Sequence, residues 1–318
     1  LFRYLAARLR HPGPAAKQYL RAGLGLERRA QHLATFWNDH LSRTRAAQAR
    51  WARDLSGGLL TVLGAGPLLD FNAAALSPRV ERFRLVDANP LCVDHWKRLE
   101  KPVEPLITDI TNCLEVWLQA LEGTGGSWSE VLSEIKNLSL KPKQGFVPVT
   151  DCLLSLNILS QLEVGWQESV EPFLKKRFGS RFVCQHEQEW LRAIQPSSRV
   201  LAEQHLAALE ASRASDILLI TDAEYVDYKG RKYSLNRWEA LPVSWSEKGW
   251  QADPGIEFEV TPALEGLVID GNSLTRWMPS YQVEWHDSWL WHISPYGTEP
   301  IDHGQIHRVV ALSLRFIK

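Results

Sequence analysis

The sequence predicts an α/β protein on a doubly wound, mostly parallel sheet, with helices before the sheet and a tryptophan-rich segment at its end. Three observations carry this. Leu59-Leu60-Thr61-Val62-Leu63 is an apolar strand running into the turn Gly64-Ala65-Gly66. The next strand, Arg82-Phe83-Arg84-Leu85-Val86, closes on Asp87. Further strand patterns then recur with helical patterns between them, the crossover signature of parallel pairing.

The elements follow in order. Pro12-Gly13-Pro14 separates a short first helix from a helix at Ala15–Ala22. From Leu26 to Leu55 the apolar positions Leu33, Trp37, Leu41, Ala47 and Trp51 recur at helical spacing with arginines between them, predicting an amphipathic helix or helix pair. Gly57-Gly58 ends it. After the first two strands, Pro105–Thr108 is a third, followed by Asp109, and Asn112–Leu121 is a helix. Ser127 and Glu130 spell a capping box for a helix reaching Asn137, and Lys141–Pro148 is a loop. Cys152–Leu156 and Asp216–Thr221 are the fourth and fifth strands, with Val170–Phe178 and Arg199–Ser212 as helices between them. Trp289–Ile293 and Arg308–Phe316 are two late strands, the second central to the sheet because of Val309-Val310-Ala311-Leu312. Three parts are expected: a helical cap over 1–56, a nucleoside-binding core over 57–225 and an extension over 226–318 that returns two strands to the sheet.

Composition narrows the class. At 318 residues, one large α/β unit with appendages is as reasonable as two domains. Hydrophobic residues at 45% and charged residues at 23% fit a soluble globular chain, and no apolar run approaches the ~18–20 residues that span a bilayer, so no membrane partner is expected. Leu1-Phe2-Arg3-Tyr4 is soon broken by Arg8, Arg10 and Pro12 and lacks a signal-peptide core, although a chain that starts without methionine leaves a trimmed leader open. Cys92, Cys113, Cys152 and Cys184 form no Cys-x-x-Cys pair and are expected as buried free thiols in a cytoplasmic protein. Residues 1–53 hold eleven Lys/Arg against Glu27 and Asp39, a net +9, while the remainder carries 25 basic and 35 acidic residues, a net −10. Nucleic acid is therefore a candidate partner of the arm, but packing on the chain's own acidic body is favoured, because the apolar stripe needs burial.

Glycines free of side chains let a backbone approach a ligand, and a carboxylate at the second strand's tip can accept ribose hydroxyls. A nicotinamide site wants a third glycine, where this chain has Leu69, followed by Asp70. An acid beside the turn repels a pyrophosphate but suits an ammonium group. Tyr225 and Lys229 mimic the short-chain dehydrogenase pair without that family's glycine motif. His186, His205, His286 and His292 lack metal-ligand spacing, and no metal is expected. Alternation in Trp285-His286-Asp287-Ser288-Trp289-Leu290-Trp291-His292 puts Trp285, Asp287, Trp289 and Trp291 on one face, either as buried packing or as an aromatic wall for a cationic or planar substrate. Asn157 and Gln161 lie one helical turn apart, and Asp222, Glu224 and Tyr225 emerge at the same sheet edge.

The series resembles class I S-adenosylmethionine-dependent methyltransferases over residues 57–225 and the terminal strand pair, and its fourth-strand run Ser155–Leu162 resembles bacterial methyltransferase-like proteins of unassigned substrate. The resemblance implies a seven-stranded Rossmann-like sheet and S-adenosylmethionine as cofactor, with S-adenosylhomocysteine as product. It places Gly64, Ala65 and Gly66 at the methionine part, Asp87 and Ala88 at the ribose, Asp109 and Ile110 at the adenine, and Ser155, Leu156 and Asn157 by the transferred methyl. The arm's helices would lie over the cofactor cleft. Asn157, Gln161, Asp222 and Tyr225 are the candidates for orienting the acceptor or taking its proton. Because Ile158-Leu159 replaces the Pro-Pro of nucleic-acid amino methyltransferases, a small-molecule acceptor is favoured. Aminopropyl or aminocarboxypropyl transfer, a non-catalytic nucleoside-binding protein and, more remotely, an NAD(P) dehydrogenase are the alternatives.

Overall fold

The computed structural model describes residues 2–142, 145–235, 239–264, 267, 269, 271–274 and 276–317. Three helices come first: α1 (Phe2–Arg10), α2 (Pro14–His32) and α3 (Ala34–Ala52). The sheet then begins with β1 (Leu59–Leu63), α4 (Ala73–Leu76), β2 (Arg82–Asp87), α5 (Val93–Trp96), β3 (Val103–Ile107), α6 (Leu114–Gly123), α7 (Trp128–Leu140) and β4 (Cys152–Leu156). Four helices follow, α8 (Val164–Phe178), α9 (Ser180–Gln185), α10 (Glu187–Ile194) and α11 (Pro196–Ser212), before β5 (Asp216–Lys229). The C-terminal part holds β6 (Val243–Ser246), β7 (Gly249–Ala252), β8 (Glu257–Pro262), α12 (Gly271–Leu274), β9 (Tyr281–Ser294) and β10 (Gly304–Phe316).

The seven-strand order is β3-β2-β1-β4-β5-β10-β9. β1 through β5 pair in parallel, and the long antiparallel hairpin β9–β10 inserts β10 beside β5. β10 is central, as its apolar run predicts: Val309, Ala311, Leu312 and Leu314 are all buried. β8 adds an eighth strand along the outer half of β5, and β6–β7 is a separate hairpin. One core lies between α3, α4, α5 and one sheet face; a second fills the space under α11; a third holds α6 to α10 together.

Three boundaries depart from expectation for local reasons. The N-terminal break falls at Leu33 and not near residue 25, because α2 runs unbroken through Gly23 and Gly25. β5 extends to Lys229, eight residues past Thr221, since antiparallel pairing with β8 and β10 satisfies a backbone whose side chains are polar. α9 and α10, at six and eight residues, are too short to show a periodicity. Cys184 is exposed, unlike the other three thiols, because it lies on the outer side of α9, and burial pushes the Cys152 thiol up to about 11. Trp238 and two residues of the 141–148 loop, Lys143 and Gln144, lie outside the described residues.

The arm packs in cis through apolar contact far more than through ion pairs. Leu33, Phe36, Trp37, His40, Thr44, Ala47, Trp51 and Ala52 are buried on one face of the α3 segment, which lies across β9. Arg29–Glu299 at 2.7 Å is an ion pair from an arm arginine to the body. The tryptophan face of β9 is therefore roofed by α3: Trp37 meets Trp291 edge-on, His40 stacks on Trp291 at 4.0 Å, and Arg50 lies over Trp285. It is a packed interface, not an open aromatic wall. Trp37 also donates its Nε1–H to the Ile293 carbonyl at 3.0 Å. Trp37→Ala is expected to cost about 3–5 kcal/mol of stability, the range for large-to-small aromatic truncation in a core. A urea denaturation midpoint unchanged from the parent protein would show that the arm is held some other way.

Candidate functional site

The carboxyl ends of β2, β1, β4 and β5 lie side by side, and the predicted residues cluster along that edge. The first glycine turn is built from both glycines, for different reasons. A Cβ on Gly64, at φ +73°, would sit 2.8 Å from the Leu156 carbonyl, so its missing side chain admits the β4 backbone. Gly66, at φ +49°, has no atom closer than 3.9 Å to such a Cβ; its missing side chain leaves open space at the turn's outer face. Trp96 braces the turn from below, donating to the Gly66 carbonyl at 2.8 Å.

Asp87 ties the turn to β2. One carboxylate oxygen accepts the Gly66 N–H and the other the Asn89 N–H, both at 2.8 Å. Each oxygen retains a lone pair for a further donor. Burial raises the Asp87 carboxyl above its ordinary value, against the opposing pull of those two backbone hydrogen bonds. Ala88 lies between them, half-buried.

Asp70 was legible only as an acid near the turn, and the structure gives it a partner. Asn157 follows β4 in a left-handed turn, φ +51°, which asparagine tolerates better than most residues. Its backbone N–H reaches the Ile220 carbonyl at 2.8 Å, and its side-chain amide donates to Asp70 at 2.7 Å. The other end of that amide, Oδ1, is buried with no donor among the described residues. Burial raises the Asp70 carboxyl, partly offset by the Asn157 hydrogen bond and by Arg45. The buried Gln48 of α3 holds this segment from behind, donating to the Asp70 carbonyl and accepting the Asn72 N–H, each at 2.7 Å.

At the β3 end, Asp109 braces its own turn, accepting from the Thr111 backbone and hydroxyl at 2.9 and 2.7 Å and from the Leu114 N–H at 3.2 Å. Ile110 is buried, its carbonyl taken by the Phe146 N–H. α2 crosses above this end. Tyr19 lies against Asp109, and burial together with that carboxylate raises its phenol. One turn on, Gly23 presses on Asn89 so closely that a Cβ would overlap its amide, and Glu27 meets His95 at 3.2 Å.

At the β4–β5 end, Ser155 points away from the edge, its hydroxyl 2.9 Å from His205 of α11, and Leu156 contributes its backbone beside Gly64. Ser160 donates to Asp222 at 2.8 Å, and the exposed Gln161 stands 3.4 Å from both. Tyr225 is half-buried, its hydroxyl 3.5 Å from the Ser160 carbonyl. Sequence reasoning missed two histidines here. His307 of β10 brings Nδ1 to 3.2 Å from Asp222, and the buried His40 of α3 lies close to both. The signal was absent from the linear pattern because the three elements are distant in sequence. Among the described residues, no group of three His, Cys, Asp or Glu is placed to hold a metal ion.

No known family model and no curated protein sequence matches the chain. Among solved structures it is similar to a provisionally assigned RNA methyltransferase from Pyrococcus horikoshii, at 9% identity and a TM-score of 0.37 over 88% of this chain and 85% of that one. It is also similar to the Burkholderia thailandensis 1,6-didemethyltoxoflavin-N1-methyltransferase with bound 1,6-didemethyltoxoflavin and S-adenosylhomocysteine, at 10% identity and a TM-score of 0.33 over 94% and 89%. A third is an amino pentose methyltransferase from Micromonospora echinaspora with bound S-adenosylmethionine, at 10% identity and 0.32 over 86% and 89%. Similarity this distant carries nothing about chemistry, which rests on the residues of the site itself.

Proposed function

We propose that this protein is an S-adenosylmethionine-dependent methyltransferase with a small-molecule acceptor. The observation that supports it best is electrostatic. Asp109, Asp87 and Asp70 stand along the sheet edge beside a glycine turn whose open face admits a backbone-close ligand. That edge favours a ligand carrying a sulfonium and an ammonium, and it disfavours a dinucleotide. The dinucleotide reading has a second obstacle: a pyrophosphate wants a helix N-terminus at the glycine turn. Here α4 begins only at Ala73, is four residues long, and has the N–H of its third residue, Ala75, capped by Asn72.

The roles follow from position. Gly66 and the Ala65 backbone would face the methionine part, with Asp70 receiving the ammonium and the vacant acceptor of Asn157 completing its hydrogen bonds. Asp87 would take the ribose hydroxyls on its remaining lone pairs, with Ala88 beside it. Asp109 and Ile110 would border the adenine, and α2 would close over it through Tyr19 and Gly23. When bound, the cofactor supplies an electrophilic methyl group; the chain's part is to align the acceptor and exclude water. Residues 1–56 act as cap, 57–225 as binding core, and 226–318 complete the sheet. No described helix is long and apolar enough to cross a membrane, and we place the protein in the cytoplasm. Asn157, Gln161, Asp222 and Tyr225 border the acceptor.

Calorimetry and thermal melting with S-adenosylhomocysteine, NAD and NADP test the reading. Ligand at 100 times its Kd stabilises the native state by about 2.7 kcal/mol. S-Adenosylhomocysteine is expected to raise Tm by several degrees and the dinucleotides to leave it unmoved. The reverse pattern would replace the methyltransferase with a dehydrogenase.

A further inference from the structure

We infer that the methyl acceptor is a nitrogen compound held by Asp222 through an N–H, with His307 beside it as a positioning residue; this rests on the methyltransferase reading above. Asp222 is 1% exposed, yet one of its oxygens, Oδ1, has no donor among the described residues. Its other oxygen is crowded, receiving Ser160 at 2.8 Å and facing Gln161 and His307. Buried polar atoms without partners are rare in native folds. Asp222 lies on the strand adjoining β4, just past the register that pairs Leu156 with Ile220. Its unmet Oδ1 is an acceptor, and His307 Nδ1 beside it is likewise buried without a hydrogen bond. A ligand that meets Asp222 Oδ1 therefore presents a hydrogen-bond donor.

The ring of His307 is oriented by its other neighbour. Its Nε2 lies 3.1 Å from Gln305 Oε1, and the Gln305 amide nitrogen is already directed at Asp227, so Nε2 must donate. Nδ1 stands 3.2 Å from Asp222 Oδ2 without forming a hydrogen bond to it. Burial works against ionisation of Asp222, but His307 beside it and the Ser160 hydrogen bond outweigh it and hold its carboxyl below the ordinary value. His40 is not a cation here: burial pushes it down to about 3, and its Nδ1 accepts from Trp289 at 3.1 Å. The remaining groups facing the pair are Tyr225, whose ring lies 4.3 Å from His307, and Glu163. Glu224, next along β5, is committed to Arg308.

A carboxylate of lowered basicity is a poor proton acceptor but a good fixed negative charge. The bound ammonium first gives one proton to water; the lone pair so freed on nitrogen forms the new C–N bond as the methyl C–S bond breaks. The breaking pair remains on sulfur, the nitrogen becomes cationic, and one of its N–H protons leaves afterwards to water. Asp222 stabilises the positive charge that grows on nitrogen, the form of electrostatic help that costs no reorganisation during the step. The same charge repels carboxylate and phenolate nucleophiles.

The test is fragment binding to the full chain saturated with S-adenosylhomocysteine. The probes are tyramine and tryptamine against their shape-matched carboxylates, 3-(4-hydroxyphenyl)propanoate and indole-3-propanoate. They are read by calorimetry and by NMR of labelled histidine. The amines are expected to bind at least tenfold tighter than the carboxylates and to shift the His307 signals, and Asp222→Asn should erase the preference while binding S-adenosylhomocysteine normally. His307→Gln removes the neighbour that helps hold the Asp222 carboxyl down, so Asp222 should take up a proton at higher pH and amine binding should fail at higher pH than in the parent. A merely structural His307 would leave that acid limit where it was. Carboxylates binding as well as amines, no binding of either class at 10 mM, or an unaltered amine preference in Asp222→Asn each overturns the inference. Failure of the parent chain to bind S-adenosylhomocysteine overturns the methyltransferase reading instead.

Discussion

Gly66→Val is expected to abolish S-adenosylhomocysteine binding, by at least about 100-fold or roughly 3 kcal/mol, while the protein stays folded. The two turn glycines separate binding from folding. At Gly66 a side chain meets no protein atom within 3.9 Å, so the branched valine would project into the space left for the ligand. Its backbone cost is that of a left-handed residue, about 1–2 kcal/mol and somewhat more for a β-branched side chain. Gly64→Val should behave oppositely. There the side chain strikes the Leu156 carbonyl and Ile158, and the loss appears in folding itself. Calorimetry on Gly66→Val beside urea unfolding of both variants reads the difference. Normal affinity in Gly66→Val would remove the cofactor from the glycine turn.

That contrast also shows where the sequence is legible. β1 and β4 were readable to the residue because a strand buried on both faces is a short unbroken apolar run with turn residues at its ends. The capping box before α7 was readable because both of its partners are local. Acids at strand tips could be found, but not what their oxygens do: Asp109 spends three hydrogen bonds on its own turn, and Ser155 faces His205. These directions depend on packing around the strand end and leave no periodic trace. The Asp222–His307 contact was beyond reach for another reason. His307 occupies one position of an alternating strand, and its partner is chosen by the antiparallel register of β10 on β5, with the irregularity at Arg308/Val309 placing it. Register between distant strands is a tertiary property. The outer half of β5 was hidden similarly, because Asp222, Glu224 and Asp227 read as loop until β8 and β10 pair with them.

Acid should unfold this protein well above the range that ordinary carboxylate titration would produce. Three buried histidines carry the effect. Burial pushes His40 and His292 down to about 3 and His205 down to about 4, against about 6.5 in an unfolded chain. Each has a neutral role: His40 accepts from Trp289, His292 lies 2.6 Å from the Tyr228 hydroxyl, and His205 pairs with Ser155. Their folded values are depressed, so below pH ~6.5 the unfolded chain binds more protons than the native one and stability falls with pH. Each histidine removes up to about 1.4 kcal/mol per pH unit until its folded value is reached. Asp222, held below its ordinary value, adds to the loss as it is protonated, whereas Asp70 and Asp87, whose carboxyls are raised, act in the opposite sense. Across pH 6.5 to 4.5 the three histidines, against two carboxyls, set the net direction. By pH 4.5 the loss should reach several kcal/mol, comparable to the whole stability of a typical domain. Urea unfolding at half-unit steps from pH 7.5 to 4.5 reads it, and His292→Phe, which removes one of the three titrations, should flatten the slope by about a third. A stability that stays level down to pH 4.5 would mean that these imidazoles are charged in the native fold and that their burial is not what sets their protonation.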